Sequence, residues 1–251
     1  MKRKIIAFDL DDTLAITKSP MSDEMSILLK DLLGKYEVCI ISGGKFDQFK
    51  IQVIDRLPSN TQNLEKLHIM PTCGTRYYCY ENGNWKMQYS EDLSTEEKEK
   101  VNRDLTEQAK ALKVWQEKTW GEIIEDRESQ ITYSALGQQA PPEKKYRWAA
   151  KNQELKHTLR DYVAERLPEL EVRLGGSTSL DITKPGIDKA YGMKKLLEKT
   201  GYTKEDILFI GDKLEEGGND YPVKAFGIDC IAVKRWEDTA YVIKGILGAS
   251  Q

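Results

Sequence analysis

The stretch IIAFDLDDTLAITKSP (residues 5–20) joins a short apolar run to a group of carboxylates. The run Lys4–Leu10 is rich in β-forming residues and ends at a polar turn, which predicts a buried strand. Residues two apart on a strand point to the same side, so Asp9 and Asp11 are expected near one another at its end. Close carboxylates repel each other unless a cation lies among them. The stretch therefore predicts a cation site, with an exposed acidic turn, or a helix capped by Asp12, as the alternative.

Two further apolar runs have the same character, Glu37–Ser42 (EVCIIS) and Asp206–Asp212 (DILFIGD), and Cys230–Val233 (CIAV) predicts an edge strand. Helical patterns alternate with these runs: one begins at the N-cap Ser22 and another ends at Gly201. Alternating strands and helices predict an α/β fold with a Rossmann-like, doubly wound parallel sheet. Such sheets bind their ligands beyond the carboxyl ends of the strands, where the opening carboxylates lie.

The middle of the chain has a different pattern. A long charged helix precedes two strand-like runs, and a second charged helix precedes two more, which predicts an antiparallel α+β layer. A hairpin signal, YENGNW, lies near the point where the chain enters this region. We therefore predict a core domain of residues 1–83 and 186–251 with an inserted α+β domain of residues 84–185.

Composition narrows the class of protein. Of the 251 residues 31% are charged, and the net charge is -3 with both signs spread along the chain, so we expect a soluble protein without a broad nucleic-acid surface. No apolar run approaches membrane-spanning length and no signal peptide is evident, so we expect no membrane association. The four cysteines form no C-x-x-C pair, which favours reduced cysteines in a cytoplasmic protein.

A second acidic motif, GDKLEEGGND, follows the strand-like run that ends at Asp212. Asp212 is expected to join Asp9 and Asp11, and the glycines of residues 217–220 permit a tight loop that brings further oxygen groups close. Oxygen ligands in a chain with only two histidines favour Mg²⁺. A surface turn is the alternative, although it leaves unexplained why a second apolar strand ends in acid.

Two further positions suit phosphate chemistry. Ser42 at a predicted strand end, followed by Gly43, offers a hydroxyl and backbone N–H groups to a phosphate. Lys189 begins a predicted helix and can neutralise an attacking carboxylate and phosphoryl oxygens. Taken singly, the first is an ordinary turn and the second an ordinary surface lysine.

In this order, the four motifs resemble the haloacid dehalogenase superfamily of phosphotransferases. The inserted domain resembles the C2-type cap of subfamily IIB, and within it the closest resemblance is to the eukaryotic-type phosphomannomutases. The motifs that carry the resemblance are DLDDTLAITKSPMSDEM, IISGGKFDQF, GGSTSLDITKPGIDKAYGMKKL and GDKLEEGGNDYPV. They are similar to the family patterns D-V-D-G-T-L-T-x-x-R-x-x-I, V-G-G-S-D-F, G-G-x-x-S-F-D-V-x-P-x-G-W-D-K and G-(N/D)-x-x-x-x-G-G-N-D-x-E-I.

The resemblance implies a role for each core residue. Asp9 is expected to be the nucleophile that becomes an aspartyl phosphate, and Asp11 the acid and then the base. Ser42 and Lys189 are expected to hold the phosphoryl group. The expected Mg²⁺ ligands are Asp9, the backbone carbonyl of Asp11, Asp212 and Asp220. The expected substrate contacts are Gly43, Asn219, Arg127, Ser179 and Asp181. For Arg127, whose expected role is to hold a distal phosphate, a cross-strand ion pair is the alternative.

The chain departs from the family at several positions. Asp12 stands where the family has glycine, Gln138 stands where it has a phosphate-binding arginine, and Lys144 or Lys145 stands near a third. The first loop also lacks the usual arginine. A weakened hold on a distal phosphate favours a Mg²⁺-dependent phosphatase of a small phosphate ester such as a sugar phosphate.

The resemblance itself leaves two other readings open. A phosphomannomutase or phosphoglucomutase primed by hexose bisphosphate is the alternative enzyme, and a non-catalytic binding protein on the same fold is a third class. The resemblance also implies a monomer or a homodimer formed through the inserted domain.

Overall fold

The computed structural model describes residues 3–249, apart from the side chain of Pro142. The strands are β1 (Ile5–Phe8), β2 (Glu37–Ile41), β3 (Leu67–Met70), β4 (Arg76–Glu81), β5 (Asn84–Ser90), β6 (Ile124–Asp126), β7 (Gln130–Ser134), β8 (Glu171–Leu174), β9 (Ser179–Thr183), β10 (Ile207–Gly211) and β11 (Asp229–Ala232). The helices are α1 (Asp23–Leu33), α2 (Phe46–Gln52), α3 (Thr95–Ala111), α4 (Pro142–Arg166), α5 (Lys189–Thr200), α6 (Tyr221–Ala225) and α7 (Trp236–Ala249).

The chain divides into two compact units: the first extends to Ser90 and resumes at Ile187, and the second is Glu91–Gly186. The first unit contains a seven-stranded sheet in the order β11-β10-β1-β2-β3-β4-β5. From β11 to β3 the pairs are parallel, and β4 and β5 are antiparallel. The predicted doubly wound α/β fold is confirmed, with β11 at the edge as predicted.

β1 is apolar throughout because both of its faces are covered. Ile6 and Phe8 pack in one apolar cluster with α1 and α7, whereas Ile5 and Ala7 pack in another with α5. The α1 helix begins where predicted, since the Ser22 side chain accepts a hydrogen bond from the Met25 N–H at 3.2 Å. The sequence motif after β1 is thus held at the centre of the sheet.

The hairpin signal YENGNW forms the β4–β5 turn, with Glu81 paired to Asn84. Asn82 and Gly83 both have positive φ, at 51° and 81°, as a tight two-residue hairpin requires. This hairpin keeps β5 in the seven-stranded sheet. The division between the units therefore falls after Ser90, whereas the sequence placed the start of the inserted domain at residue 84.

The second unit is a four-stranded antiparallel sheet in the order β6-β7-β9-β8, with α3 and α4 packed on its apolar face. Its element order is α-β-β-α-β-β, as the sequence predicted. Side chains of α3 and α4, among them Val101, Leu105 and Val163, are buried against Ile131 and Leu180 of the sheet. The opposite face of the sheet is polar.

Within residues 3–249, no helix combines the length and the apolar character that crossing a membrane requires.

Candidate active site

Three carboxylates meet at the carboxyl ends of two neighbouring strands. Asp9 directly follows β1 and Asp212 directly follows β10, and these strands are paired with Phe8 opposite Ile210. Asp220 reaches the same place from the loop before α6. One oxygen from each of the three carboxylates lies within 4.8 Å of the others. The structure therefore brings together three of the predicted metal ligands.

The loop that delivers Asp220 is tight, as predicted. Gly217 has a positive φ of 85°, and a Cβ at Gly218 would collide with the carbonyl of Lys213. The loop is closed by Lys213, whose carbonyl accepts from the Asp220 N–H at 3.1 Å and whose N–H donates to Asp220 Oδ2 at 3.0 Å. Asn219 is exposed on this loop.

Lys189 is the first residue of α5, and its side chain is 1% exposed. Its ammonium donates to Asp9 Oδ1, and to Asp220 Oδ1 at 2.5 Å. The surface-lysine alternative is therefore wrong. One buried ammonium lies between two buried carboxylates, so the site holds one cation of its own before any metal binds.

Burial and neighbouring charges have opposite effects on the pKa values of Asp9 and Lys189. Burial raises the pKa of Asp9 to about 7, against the nearby ammonium of Lys189, which lowers it. Burial alone would lower the pKa of Lys189, but the carboxylates of Asp9 and Asp220 raise it above its ordinary value. Lys189 is consequently charged at neutral pH, and its charge offsets part of the repulsion between the two carboxylates.

The carboxylate group fits a divalent cation. Asp212 Oδ2 lies 3.0 Å from the ammonium of Lys213, whereas Asp212 Oδ1 is buried with no hydrogen-bond partner among the described residues. Leaving a buried carboxylate oxygen unpaired is costly, so an atom of this kind beside two other carboxylates indicates a ligand for a cation. The residues present can therefore hold a metal ion through Asp9, Asp212 and Asp220.

The Asp11 side chain is not part of this carboxylate group. Its Oδ1 accepts from the Lys18 N–H at 2.9 Å and from Gln52 Nε2 at 3.1 Å. Its Oδ2 accepts from Gln48 Nε2 at 3.1 Å. The nearby Asp12 has φ of 63° and accepts from the N–H and hydroxyl of Thr17 at 3.1 and 2.7 Å.

Asp12 adopts a conformation that also suits glycine, the residue that the resemblance implies at this position. A positive φ suits glycine best, and aspartate is among the residues that tolerate it. Asp12 directs its carboxylate to Thr17 in the following turn.

Ser42 lies at the carboxyl end of β2, the strand next to β1, and is 6% exposed. Its hydroxyl accepts from the Gly44 N–H at 3.4 Å, and its carbonyl accepts from the Cys73 N–H at 3.0 Å. The space in front of Gly43, where a side chain would lie, is open. Ser42 and Gly43 are thus at the same edge of the sheet as Asp9.

The other predicted substrate residues lie in the second unit, on the polar face of its sheet. Register and alternation place ten side chains on this face. They are Glu125, Arg127, Gln130, Thr132, Ser134, Glu171, Arg173, Ser179, Asp181 and Thr183. The predicted residues Arg127, Ser179 and Asp181 therefore share one surface within this unit.

The charged side chains of the polar face form ion pairs or hydrogen bonds with other side chains of the same face. Arg127 Nε and Nη2 lie 2.8 Å from Glu125 Oε2, and Arg173 Nε donates to Glu171 at 2.7 Å. Asp181 Oδ1 accepts from Gln130 Nε2 at 3.0 Å and from the Thr132 hydroxyl at 2.7 Å. One partner of Arg127, Glu125, lies two residues away on the same strand segment.

Gln138, Lys144 and Lys145, which stand where the resemblance implies arginines, also lie in the second unit. Gln138 Nε2 donates to the Thr132 carbonyl at 3.3 Å, and Lys145 Nζ donates to the Gln138 carbonyl at 3.0 Å. Lys144 is exposed on the first turn of α4. A lysine ammonium is therefore near Gln138, but it lacks the two-pronged geometry of a guanidinium.

Sequence reasoning missed the amide side chains that hold the carboxylates. Gln48 and Gln52 are one helical turn apart on α2 and both donate to Asp11. Their four-residue spacing, which places them on one helix face, was the signal that could have found them. Gln130 and Thr132, two apart on β7, hold Asp181 in the same way and follow the two-residue period of a strand.

The strand order, the acids after β1 and β10 and the buried Lys189 define a phosphotransferase of the haloacid dehalogenase superfamily. A haloacid dehalogenase-like hydrolase from Bacteroides thetaiotaomicron has the same fold, with a TM-score of 0.67 at 18% identity, covering 98% of this chain and 100% of that chain.

The sequence profile of eukaryotic phosphomannomutase matches residues 28–248. A phosphomannomutase of Encephalitozoon cuniculi (strain GB-M1) is 27% identical over 233 residues, which are 88% of this chain and 84% of that protein. A phosphomannomutase of Schizosaccharomyces pombe (strain 972 / ATCC 24843) is 27% identical over 234 residues, 88% of this chain and 85% of that protein. The chain belongs to the eukaryotic phosphomannomutase family. It is an enzyme, a phosphosugar mutase or a phosphatase.

Proposed function

We propose that the protein is a Mg²⁺-dependent phosphatase that hydrolyses a small phosphorylated metabolite, a sugar phosphate, through an aspartyl phosphate. The arrangement of Asp9, Lys189 and Asp220 supports this chemistry, because a nucleophilic carboxylate needs positive charge beside it to approach a phosphate dianion. The polar face of the second unit supports water, and not a second sugar phosphate, as the acceptor.

In the proposed reaction a carboxylate oxygen of Asp9 attacks phosphorus, and the bond from phosphorus to the sugar oxygen breaks. Asp11 gives its proton to that oxygen as it leaves. Water then attacks phosphorus, Asp11 takes a proton from it, and the bond from phosphorus to Asp9 breaks, which releases inorganic phosphate. Lys189, Ser42 and the backbone at Gly43 hold the phosphoryl oxygens through both steps.

Mg²⁺ is the proposed cofactor, held by Asp9, Asp212, Asp220 and the backbone carbonyl of Asp11. When bound, it neutralises charge that develops on the phosphoryl oxygens. Oxygen ligands favour Mg²⁺ over softer metals. The unpaired buried oxygen of Asp212 is the feature that supports a ligand role for this residue.

The observation that favours hydrolysis is the charge of the polar face. Its two arginines, Arg127 and Arg173, are outnumbered by three carboxylates, of which Glu125 and Glu171 pair with the arginines. A bisphosphate needs a surplus of positive charge to hold its distal phosphate while it turns over. Arg127, Ser179 and Asp181 are therefore proposed to bind the hydroxyl groups of a monophosphate.

The similarity to phosphomannomutases along most of the chain favours a second candidate, a phosphomannomutase or phosphoglucomutase primed by a hexose 1,6-bisphosphate. On this reading Lys145, beside Gln138, supplies charge in place of the arginine. A non-catalytic binding protein is the third class, and the complete set of core acids argues against it.

A cytoplasmic location and a monomer or a homodimer formed through the second unit are also proposed, on the strength of family membership. Sedimentation of the purified protein over a range of concentrations tests the oligomeric state.

The functions are separated by following all phosphorus species by ³¹P NMR during incubation with Mg²⁺ and mannose 6-phosphate, with and without a trace of glucose 1,6-bisphosphate. Inorganic phosphate that rises at a rate independent of the bisphosphate supports the phosphatase. A hexose 1-phosphate that appears only with the bisphosphate would replace it by the mutase. If both the wild-type protein and Asp9→Asn are inactive on every phosphate ester tried, the non-catalytic class is favoured over both enzymes.

A further inference from the structure

We propose that Gln48 is a positioning residue for Asp11, which aims the carboxyl group of Asp11 at the leaving oxygen; the inference rests on the proposed function. Gln48 lies on α2, within the motif IISGGKFDQF, but the sequence gives it no role and it is not among the residues of the core site. The contacts of its side-chain amide lead to this assignment.

The two oxygens of Asp11 are held differently. Oδ1 accepts from three donors: the Lys18 N–H at 2.9 Å, Gln52 Nε2 at 3.1 Å and, more distantly, Gln48 Nε2 at 3.4 Å. Oδ2 accepts from Gln48 Nε2 at 3.1 Å. Gln48 therefore decides the direction of Oδ2, while the other donors fix Oδ1.

The helix that carries Gln48 is anchored beside Asp11. Gln52, one turn later, also donates to the carbonyl of Ser19 at 2.9 Å, and its own carbonyl accepts from the Met21 N–H at 2.9 Å. Phe49, between the two glutamines, is buried in the core of the first unit. The Gln48 amide is thus presented to Asp11 from a fixed support.

Gly44 leaves the space that the Gln48 amide fills. A Cβ at Gly44 would lie 2.7 Å from Gln48 Cδ and closer still to Oε1. Any side chain at residue 44 must push the amide away, and the flexible end of Gln48 can move without disturbing the backbone. The absence of a side chain at Gly44 therefore permits the contact between Gln48 and Asp11.

Loss of the contact between Gln48 and Asp11 should affect two kinds of substrate differently. An alkoxide leaving group needs a proton from Asp11, whereas p-nitrophenolate departs without one. The kcat/KM reports the first phosphoryl transfer, so a misdirected Asp11 lowers kcat/KM for a sugar phosphate and spares that for p-nitrophenyl phosphate. A purely structural defect lowers both values equally.

The test compares Gln48→Leu with the wild-type protein on both substrates, with Mg²⁺ present. We expect kcat/KM for the sugar phosphate to fall about tenfold or more, as the loss of a hydrogen bond to a charged group predicts, and that for p-nitrophenyl phosphate to change less than about threefold. Gly44→Ala, which keeps the amide but displaces it, should show the same split. Ile51→Ala, at an exposed position of α2, is the control and should show none.

Equal losses on the two substrates, or no loss on either, would overturn the inference. Crystal structures of the wild-type protein and Gln48→Leu supply a second test that needs no activity, and an Asp11 carboxylate in the same position in both would also overturn it. Inactivity of the wild-type protein on every phosphate ester would instead refute the proposed function, and the two crystal structures would still decide whether Gln48 positions Asp11.

Discussion

The carboxylate of Asp220 occupies the space in which a side chain at Gly211 would place its first carbon. Gly211 ends β10, directly before Asp212, and so the strand end is shaped to admit a second acid beside the first. The same carboxylate is held by Lys189 and by the Lys213 N–H. The lack of a side chain at Gly211 therefore allows the Asp220 carboxylate to lie beside Asp212.

Gly211→Ala is expected to displace Asp220 and weaken Mg²⁺ binding about tenfold or more, because a displaced ligand costs at least as much as the loss of one supporting contact. Isothermal titration calorimetry with Mg²⁺ measures this directly. Gly245→Ala, where a Cβ meets nothing within 4 Å, is the matched control. Unchanged Mg²⁺ affinity in Gly211→Ala would contradict the assignment of Asp220 as a ligand.

Lys189→Met should destabilise the metal-free protein by about 3–5 kcal/mol, since it leaves the buried carboxylates of Asp9 and Asp220 without their cation. Urea unfolding without Mg²⁺ gives this value. Added Mg²⁺ should raise the free energy of unfolding of Lys189→Met by more than it raises that of the wild-type protein, because the metal takes over the neutralisation. Lys194→Met, at an exposed position of α5, is the control, and equal effects of Mg²⁺ on both variants would argue against a shared site.

Glu37, which is not part of the cation site, contributes to the pH dependence of the free energy of unfolding. A hydrogen bond with His68 lowers the pKa of Glu37 below its ordinary value of 4.5, against burial, and Tyr202 lowers it further. A lowered pKa means that the folded state prefers the charged carboxylate, so this stabilisation is present above pH 4.5 and is lost as the pH falls through the folded-state pKa.

Glu37→Gln should therefore lose less stability than the wild-type protein on acidification below pH 4.5. Urea unfolding at a series of pH values measures the difference, with Glu65→Gln as the control for loss of an exposed carboxylate. Parallel pH profiles for Glu37→Gln and the wild-type protein would show that the contacts with His68 and Tyr202 do not favour the charged form.

Gln138→Arg introduces the phosphate-binding arginine that the resemblance to the phosphomannomutases implies at this position. We expect the affinity for a hexose bisphosphate to rise about tenfold or more, because a guanidinium forms strong, paired hydrogen bonds with phosphate. Competition of glucose 1,6-bisphosphate against hydrolysis of mannose 6-phosphate measures it. Gln139→Arg, at the exposed neighbouring position, is the control. An equal gain in bisphosphate affinity there would show that the added positive charge, and not its position, causes the effect.

Most of the parallel core was predictable because its strands are buried on both faces, although β3, a short buried strand interrupted by His68, was missed. β1, β2 and β10 are therefore nearly all apolar, and each stands out in the sequence. β4 and β5 have a half-exposed face, with polar residues such as Lys86 and Gln88 between aromatic ones, so only their turn was recognised. Because these strands were missed, the predicted domain boundary fell inside the β4–β5 hairpin and not after it.

The grouping of Asp9 with Asp212, and a role for Lys189, were predictable because strand ends and helix starts fix their positions along the chain, whereas the Asp11 side chain is not part of this carboxylate group. Contacts such as Gln48 with Asp11 were not, since they join a helix to a loop and depend on side-chain direction. The pair Arg127 and Glu125 lies two residues apart, which places both on one face, but the sequence cannot tell an ion pair within a strand from one across the sheet.

The central claim is that Asp9 accepts a phosphoryl group and passes it to water. We would mix the protein and Mg²⁺ with mannose 6-phosphate labelled with ³²P, quench in acid at short times, and follow the label on the protein, in inorganic phosphate and in sugar bisphosphate. We expect an acid-stable, hydroxylamine-sensitive label at Asp9 that passes to inorganic phosphate and is absent from Asp9→Asn. Label that never reaches the protein, or that leaves it as a sugar bisphosphate, would contradict the account.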